Sequence, residues 1–197
     1  MKLQPRIISV FGSSHPREGD AHYGEARALG AELAAKGFAI CTGGYAGVME
    51  AVSRGAKEAG GRTVAVTAKF FAARANQWID EEIRVETWQE RLFELVKRSS
   101  GYVTCRGGTG TLAELAVVWE MLNKRVMGEK PMVVLGDYWR PIVECVRGAD
   151  LDHAAARGAR REEIVRFAAS PAEAAEKLAA HFENRTNKPR VTREKET

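Results

Sequence analysis

Apolar residues in this chain fall into short runs of four or five, and between the runs they recur at helical spacing. The runs lie at 7–11, 38–42, 63–67, 83–87, 102–105, 132–135 and 164–168, and each has the length of a strand. Segments 21–36, 48–59, 88–98, 112–122 and 171–182 read as helices, and 141–146 starts or extends another. The stop signals agree with these bounds. Gly37 follows the first helix, and Gly60 and Gly61 close the second. Ser170 and Pro171 place a cap and an N1 proline before the last helix. Residues 68–82 hold Phe70, Phe71 and Trp78 without clear period, and are expected to be an excursion over the sheet ends.

Strands separated by helices of this length predict parallel βαβ units. The expected class is α/β, with a doubly wound, mostly parallel Rossmann-like sheet and helices on both faces. In a chain of 197 residues, one nucleotide-binding α/β domain over 1–183 is expected, followed by a polar, disordered tail at 184–197. Ligands of such sheets bind outside the carboxyl ends of the strands, near a topological switch point. Three glycine- or serine-bearing turns follow strands: Gly12, Ser13 and Ser14; Gly43 and Gly44 through Gly47; and Gly107 through Gly110. The fold implies that all three open on one edge.

The third turn carries the most chemistry. It joins a strand directly to a helix, so its glycines let backbone N–H groups face an anion, and the helix dipole adds about half a positive charge. Thr109 and Thr111 add hydroxyls, and one carboxylate, Glu114, lies a single turn inside the helix. Plainer readings exist for the same residues. Thr111 and Glu114 fit a capping box. Gly108, Gly110 and Ala113 fit a loose dinucleotide fingerprint, but no acid ends the next strand where a ribose would need one. No Lys-Ser or Lys-Thr follows the glycines, so the Walker pattern is absent.

Composition narrows the classes. An apolar share of 45% and a charged share of 28% are those of a soluble globular protein. Much of the net charge of +4 falls at 157–166 and in the tail, so it forms no nucleic-acid footprint, although it favours anionic ligands. No apolar run approaches the length of a membrane span, and residues 1–6 do not read as a signal peptide, so a cytoplasmic location is expected. Cys41, Cys105 and Cys145 have no metal spacing and read as small buried residues. No metal and no cofactor are expected.

Residues Gly107, Gly108, Thr109, Gly110, Thr111, Leu112, Ala113 and Glu114 resemble the P-G-G-x-G-T-x-x-E signature of the Lonely Guy family. Its members are phosphoribohydrolases that cleave the N-glycosidic bond of cytokinin nucleotides, and some also cleave AMP. The likeness runs from about residue 7 to residue 135. It takes in the turn at Gly12, Ser13 and Ser14, the turn before Val48 and Met49, and a Glu90-Arg91 pair at the family's distance from Gly107. The resemblance implies Glu114 and Arg91 as catalytic residues. It implies Gly107, Gly108, Thr109, Gly110, Thr111, Gly12, Ser13, Ser14, Gly43 and Gly44 as phosphate and nucleotide contacts. The implied partner is a small-molecule nucleotide monophosphate, not nucleic acid or a membrane, and the implied assembly is a homodimer.

Several assignments have two readings. Arg91 and Arg98 both flank an apolar arc, where an arginine is ordinarily a snorkelling surface residue, and the family match selects Arg91. Met49 suits either the base or the core. His15, Glu18 and Asp20 either line the pocket or are exposed loop polarity. Arg106 replaces the family's proline, Thr42 its first glycine, Glu50 a small residue and Leu92 a lysine. These departures surround the ligand and leave cytokinin specificity open. Arg106 either adds charge near the phosphate or pairs with an acid.

Cleaving a nucleotide N-glycosidic bond builds positive charge on the ribose. A carboxylate near the anomeric carbon stabilises that charge and activates water. Glu114 suits both tasks and, at a helix N-terminus, is expected to be ionised near neutral pH. Arg91 would hold the ribose phosphate or orient Glu114. A second class stays open, because the same fold and loop occur in non-catalytic carriers resembling the molybdenum cofactor carrier. Lysine decarboxylation is the weakest candidate, since no Ser-x-His-Lys motif for a pyridoxal Schiff base is present.

If residues 107–111 cradle the 5′-phosphate, adenosine loses two or three charge-assisted hydrogen bonds relative to AMP, each worth about 1.5–3 kcal/mol. Its kcat/KM should then be more than about a hundredfold lower than that of AMP. Equal cleavage of both would remove the cradle from this loop.

Overall fold

The structure, a computed structural model, describes residues 5–156 and 163–186. Every apolar run becomes a strand: β1 (Ile7–Phe11), β2 (Ala39–Thr42), β3 (Thr63–Ala68), β4 (Glu81–Val85), β5 (Gly101–Thr104), β6 (Met132–Leu135) and β7 (Val165–Ala168). The helices are α1 (Ala21–Ala35), α2 (Val48–Glu58), α3 (Trp88–Arg98), α4 (Thr109–Asn123), α5 (Arg140–Ala156) and α6 (Pro171–Thr186). Among the described residues, seven parallel strands form one sheet in the order β4-β3-β2-β1-β5-β6-β7. The order reverses at β1, which pairs with β2 on one side and β5 on the other. That reversal is the switch point of a doubly wound fold.

The strands alternate between two apolar faces. Ile8, Val10, Ile40, Val103 and Val133 pack with Leu29 and Leu33 of α1, Val52 of α2 and Leu178 of α6. Phe11, Val66, Tyr102 and Val134 pack with Leu95 of α3, Leu115 and Val118 of α4 and Val143 of α5. Burial on both sides explains why the runs are nearly continuous in apolar residues.

The bounds differ from the pattern at informative places. Helix α4 starts at Thr109, three residues before the apolar periodicity does, because Gly108 takes an extended N-cap conformation. Strand β4 starts at Glu81 and ends at Val85. Helix α5 runs to Ala156, well past 146. Helix α6 continues to Thr186 and so takes in residues 184–186 of the expected tail. Residues 187–197 of that tail, and 157–162 of the basic stretch, lie outside the described residues. Cys145 is exposed rather than buried, whereas Cys41 and Cys105 are buried and their thiols are pushed up to about 12 by desolvation.

The segment without period lies over the carboxyl ends of β2 and β3. It opens with a 3-10 turn, Lys69–Phe71. The Tyr45 hydroxyl donates to the Ala68 carbonyl at 3.2 Å and accepts the Ala68 N–H at 3.0 Å. The Asn76 side-chain amide donates to the carbonyls of Gly44 and Tyr45 at 3.0 and 2.9 Å. The start and middle of the excursion are therefore fastened to the turn after β2. Its end returns to the start of β3, where the Thr63 hydroxyl donates to the Trp78 carbonyl at 2.6 Å and the Asp80 carboxylate accepts the Thr63 N–H at 2.9 Å.

Helices α1 and α2 touch backbone to backbone. A Cβ at Gly30 would lie 2.0 Å from the Val52 carbonyl oxygen, and one at Gly55 would lie 1.8 Å from that of Arg27. Overpacking of this kind costs about 1–3 kcal/mol. Gly55→Ala is expected to cost about 3 kcal/mol, and at roughly 2–4 °C per kcal/mol the melting temperature falls by about 6–12 °C. Gly24→Ala on the same α1, where a Cβ meets nothing within 4 Å, is expected to stabilise by about 0.5–1 kcal/mol. Thermal melts of both variants check the contact, which similar shifts would contradict.

Candidate active site

The three turns are laced together by backbone. The Cys105 N–H donates to the Phe11 carbonyl at 2.8 Å, and the Ser13 N–H to the Arg106 carbonyl at 3.1 Å. The Ser13 carbonyl accepts the Val48 N–H at 2.8 Å, so the central turn also holds the start of α2. From the other side, the buried Trp139 donates its Nε1–H to the Cys105 carbonyl at 2.9 Å, just before the glycine loop. The sequence reading missed Trp139, and its place directly after β6 was the only signal for it.

Helix α4 begins inside the glycine signature. Its N-cap is Gly108, which supplies no side-chain cap. The first N–H groups of any helix have no carbonyl within the helix to pair with. Here they belong to Thr109, Gly110 and Thr111; the first two residues are exposed, and Thr111 is buried. A Cβ on Gly108 or Gly110 would meet nothing within 4 Å, so space above the loop is open. Amides, dipole and access together make this an anion-ready terminus.

The capping-box reading of Thr111 and Glu114 is overturned, because both lie within the helix rather than at its cap. The capping box of this edge belongs to α3. Thr87 Oγ1 accepts the Glu90 N–H at 3.1 Å, and the Glu90 carboxylate accepts the Thr87 N–H at 3.2 Å. Glu90 thus fixes the helix start, and the next residue, Arg91, points inward.

Arg91 is 6% exposed, not a surface arginine. Its Nε–H donates to the Val66 carbonyl at 2.9 Å, Nη2 lies 3.7 Å from Met49 Sδ, and Nη1 lies 3.7 Å from Glu114 Oε1. Its Cζ lies 5.5 Å from the centre of the Tyr45 ring and 5.6 Å from that of Phe71. A Cβ on Gly43 would come within 1.4 Å of Nη2, so Gly43 makes the room this guanidinium occupies. Arg98 is different: it is exposed and paired with Glu94 on its own helix. The structure thus brings Arg91, Glu114, Met49 and Gly43 together and leaves Arg98 outside.

The Glu114 side chain is 13% exposed. Burial pushes its carboxyl up to about 7, against the opposing pull of Arg91. This corrects the expectation of an ionised group near neutral pH. Glu114 is the sixth residue of α4, beyond the first turn, and there desolvation outweighs the helix terminus.

The remaining candidates make local contacts. Arg106 Nη1 lies 3.1 Å from His22 Nε2, and its guanidinium sits 4.7 Å over the Tyr138 ring. The Tyr23 hydroxyl donates to Glu50 at 3.3 Å. Ser13 Oγ lies 3.1 Å from His15 Nδ1. Glu18 pairs with Arg54, and Asp20 accepts the Arg17 N–H. A cavity of about 610 Å³, bordered by Lys130, Pro131 and Ile164, lies at the amino ends of β6 and β7, on the opposite edge from this site. Among the described residues no His, Cys, Asp and Glu cluster suits a metal ion, and no helix is long and apolar enough to cross a membrane.

Fold and edge together define a Rossmann-like protein with an anion-ready helix terminus at its switch point and a buried arginine–glutamate pair beside it. The model of the SLOG cluster4 family matches residues 5–173, and the chain belongs to that family. The curated relatives bear out the Lonely Guy resemblance. A cytokinin riboside 5′-monophosphate phosphoribohydrolase from Mycobacterium marinum is 39% identical over 117 residues, which are 58% of this chain and 62% of that protein. A probable enzyme of the same name from Oryza sativa subsp. japonica is 29% identical over 181 residues, 88% of this chain and 72% of the relative. Among solved structures, the molybdenum cofactor binding protein from Rippkaea orientalis superposes with a TM-score of 0.71 at 26% identity, over 91% of this chain and 99% of that one.

Glu114 should leave a signature in stability. Its carboxyl ordinarily ionises near 4.5 and in the folded protein near 7. Between these values the native state keeps a proton that the unfolded state has lost, so stability falls as pH rises through that window and levels off above it. Glutamine has no such proton. At about 1.4 kcal/mol per pH unit, wild type should lose roughly 3 kcal/mol relative to Glu114→Gln across the window. Denaturant melts at several pH values measure this, and parallel curves for the two proteins would refute the raised value.

Proposed function

We propose that the protein hydrolyses the N-glycosidic bond of a purine ribonucleoside 5′-monophosphate, giving free base and ribose 5-phosphate. The observation that carries this reading is the buried Arg91–Glu114 pair beside the unpaired first amides of α4, where Thr109 and Gly110 are exposed. The 5′-phosphate sits on those amides, aided by the Thr109 and Thr111 hydroxyls and the neighbouring turn at Ser13. Binding energy from the phosphate, remote from the reacting bond, aligns the ribose. As the bond between C1′ and the base nitrogen breaks, water oxygen bonds to C1′. One water proton passes to Glu114, and the departing base takes a proton in return. The ionised carboxylate also stabilises the positive charge that develops on the ribose. A carboxyl near 7 can accept and return a proton at neutral pH, and Arg91 keeps its ionised form available.

The names of the Mycobacterium marinum and Oryza sativa relatives support this reading. A second reading, a carrier that binds a phosphorylated ligand without cutting it, draws on the likeness to the Rippkaea orientalis protein. The carboxylate favours hydrolysis, because holding a phosphate does not call for a buried acid.

Chromatography of AMP, GMP, CMP and UMP incubated with micromolar protein separates the two. Free base is expected from at least one purine nucleotide, with a rate that rises with pH up to about 7 and then levels. Glu114→Gln is expected to lower turnover by about 10²–10⁴ and to retain nucleotide binding. If no base appears from any nucleotide, the carrier reading replaces the enzyme.

A further inference from the structure

Two large apolar side chains at the carboxyl edge stay in water. Phe70 is 73% exposed and Phe71 is 41% exposed, whereas Phe11, Val48 and Met49 at the same edge are buried. The two rings are not on a loose loop. Before the turn that carries them, the Tyr45 hydroxyl clamps Ala68 through both its N–H and its carbonyl. Within the turn, Lys69 pairs with Glu86. After it, Asn76 holds the carbonyls of Gly44 and Tyr45. The rings also brace each other. Phe71 meets Tyr45 edge-on with centroids 5.4 Å apart, and Phe70 meets Phe71 edge-on at 5.2 Å. Phe71 stands 5.6 Å from the Arg91 guanidinium carbon, and that guanidinium reaches Glu114. A fixed aromatic surface therefore borders the one buried carboxylate of the proposed site.

We infer that Phe70 and Phe71 form the stacking platform for the base of a nucleotide whose phosphate lies on residues 107–111, an assignment that rests on the function proposed above. A base bonded to the ribose carbon beside Glu114 needs a flat apolar surface as its neighbour. The Phe71 ring supplies that face, and Phe70, set edge-on against it, braces it. Phenylalanine has no hydrogen-bonding group. The platform consequently selects by ring area, favouring purines over pyrimidines, and tolerates substituents on the base edge. Its role is specificity and positioning of the leaving group, while proton transfer stays with Glu114.

The test is calorimetric binding of AMP, CMP and ribose 5-phosphate to the full chain carrying Glu114→Gln, which suppresses turnover, with and without Phe71→Ala, Phe70→Ala or Phe71→Trp. Base stacking on an aromatic ring is worth about tenfold or more in affinity. AMP is expected to bind more tightly than CMP, and both more tightly than ribose 5-phosphate. Phe71→Ala is expected to weaken AMP by about tenfold or more, to leave ribose 5-phosphate within about twofold, and to be rescued by Phe71→Trp. An equal loss for AMP and ribose 5-phosphate would mark a structural role and overturn the platform. So would unchanged AMP binding, or AMP binding no tighter than ribose 5-phosphate in the parent. A change of oligomeric state in Phe71→Ala with AMP selectivity intact would assign the rings to a second copy of the chain and likewise overturn it. Binding is read apart from turnover, so a protein that stacks AMP and never releases base keeps the platform and loses the hydrolase.

Discussion

A guanidinium held away from water organises the carboxyl edge of this protein. Burying a charge costs several kcal/mol unless partners replace its hydration. Arg91 draws those partners from separate elements. The Val66 carbonyl comes from β3, the Met49 sulfur from α2, the Glu114 carboxylate from α4 and the Tyr45 ring from the turn after β2. Gly43 contributes by having no side chain where Nη2 lies. One side chain on α3 therefore ties the second glycine turn to the helix behind the third. Removing it would take away the cation that opposes desolvation at Glu114, so the carboxyl would hold its proton to still higher pH.

The same desolvation has opposite consequences for stability and chemistry. Above the folded ionisation point of Glu114, the protein carries a buried negative charge that the unfolded chain would hydrate freely. That cost is what brings the carboxyl to about 7, where it can exchange protons near neutral pH. Arg91 limits the cost and fixes the carboxylate in place. The start of α4 lies at the other end of the same signature, where Thr109 and Gly110 are exposed, as an anion-ready terminus requires. Within one helical segment, an open end suited to phosphate and a dry position suited to proton transfer are six residues apart or less.

The fold itself does not choose between cutting and carrying a ligand. The chain resembles phosphoribohydrolases in sequence and a molybdenum cofactor binding protein in structure, and the parallel sheet with its switch point serves either activity. What distinguishes activities on such a scaffold is side-chain chemistry at the edge. Here that chemistry is an acid in a dry position next to a cation, bordered by exposed aromatic rings.

The alternation of apolar runs with helical periodicity was enough to establish the α/β class and all seven strands, because both faces of a parallel sheet must be buried and that requirement is written locally. The glycine signature located the anion-ready terminus for a similar reason, since its backbone needs no distant partner. Other features were decided only by tertiary structure. Residues 68–82 have no period, because their order comes from Tyr45 and Asn76 reaching across to other turns. Thr111 and Glu114 fit a capping pattern, but Gly108 starts the helix earlier, and the capping box went to Thr87 and Glu90. Arg91 and Arg98 were equivalent by spacing, and packing against β3, α2 and α4 buried one and left the other exposed. The protonation of Glu114 follows the same rule. A residue type and a helix position are properties of the sequence, but desolvation is set by what folds over them, and here it outweighed the helix terminus.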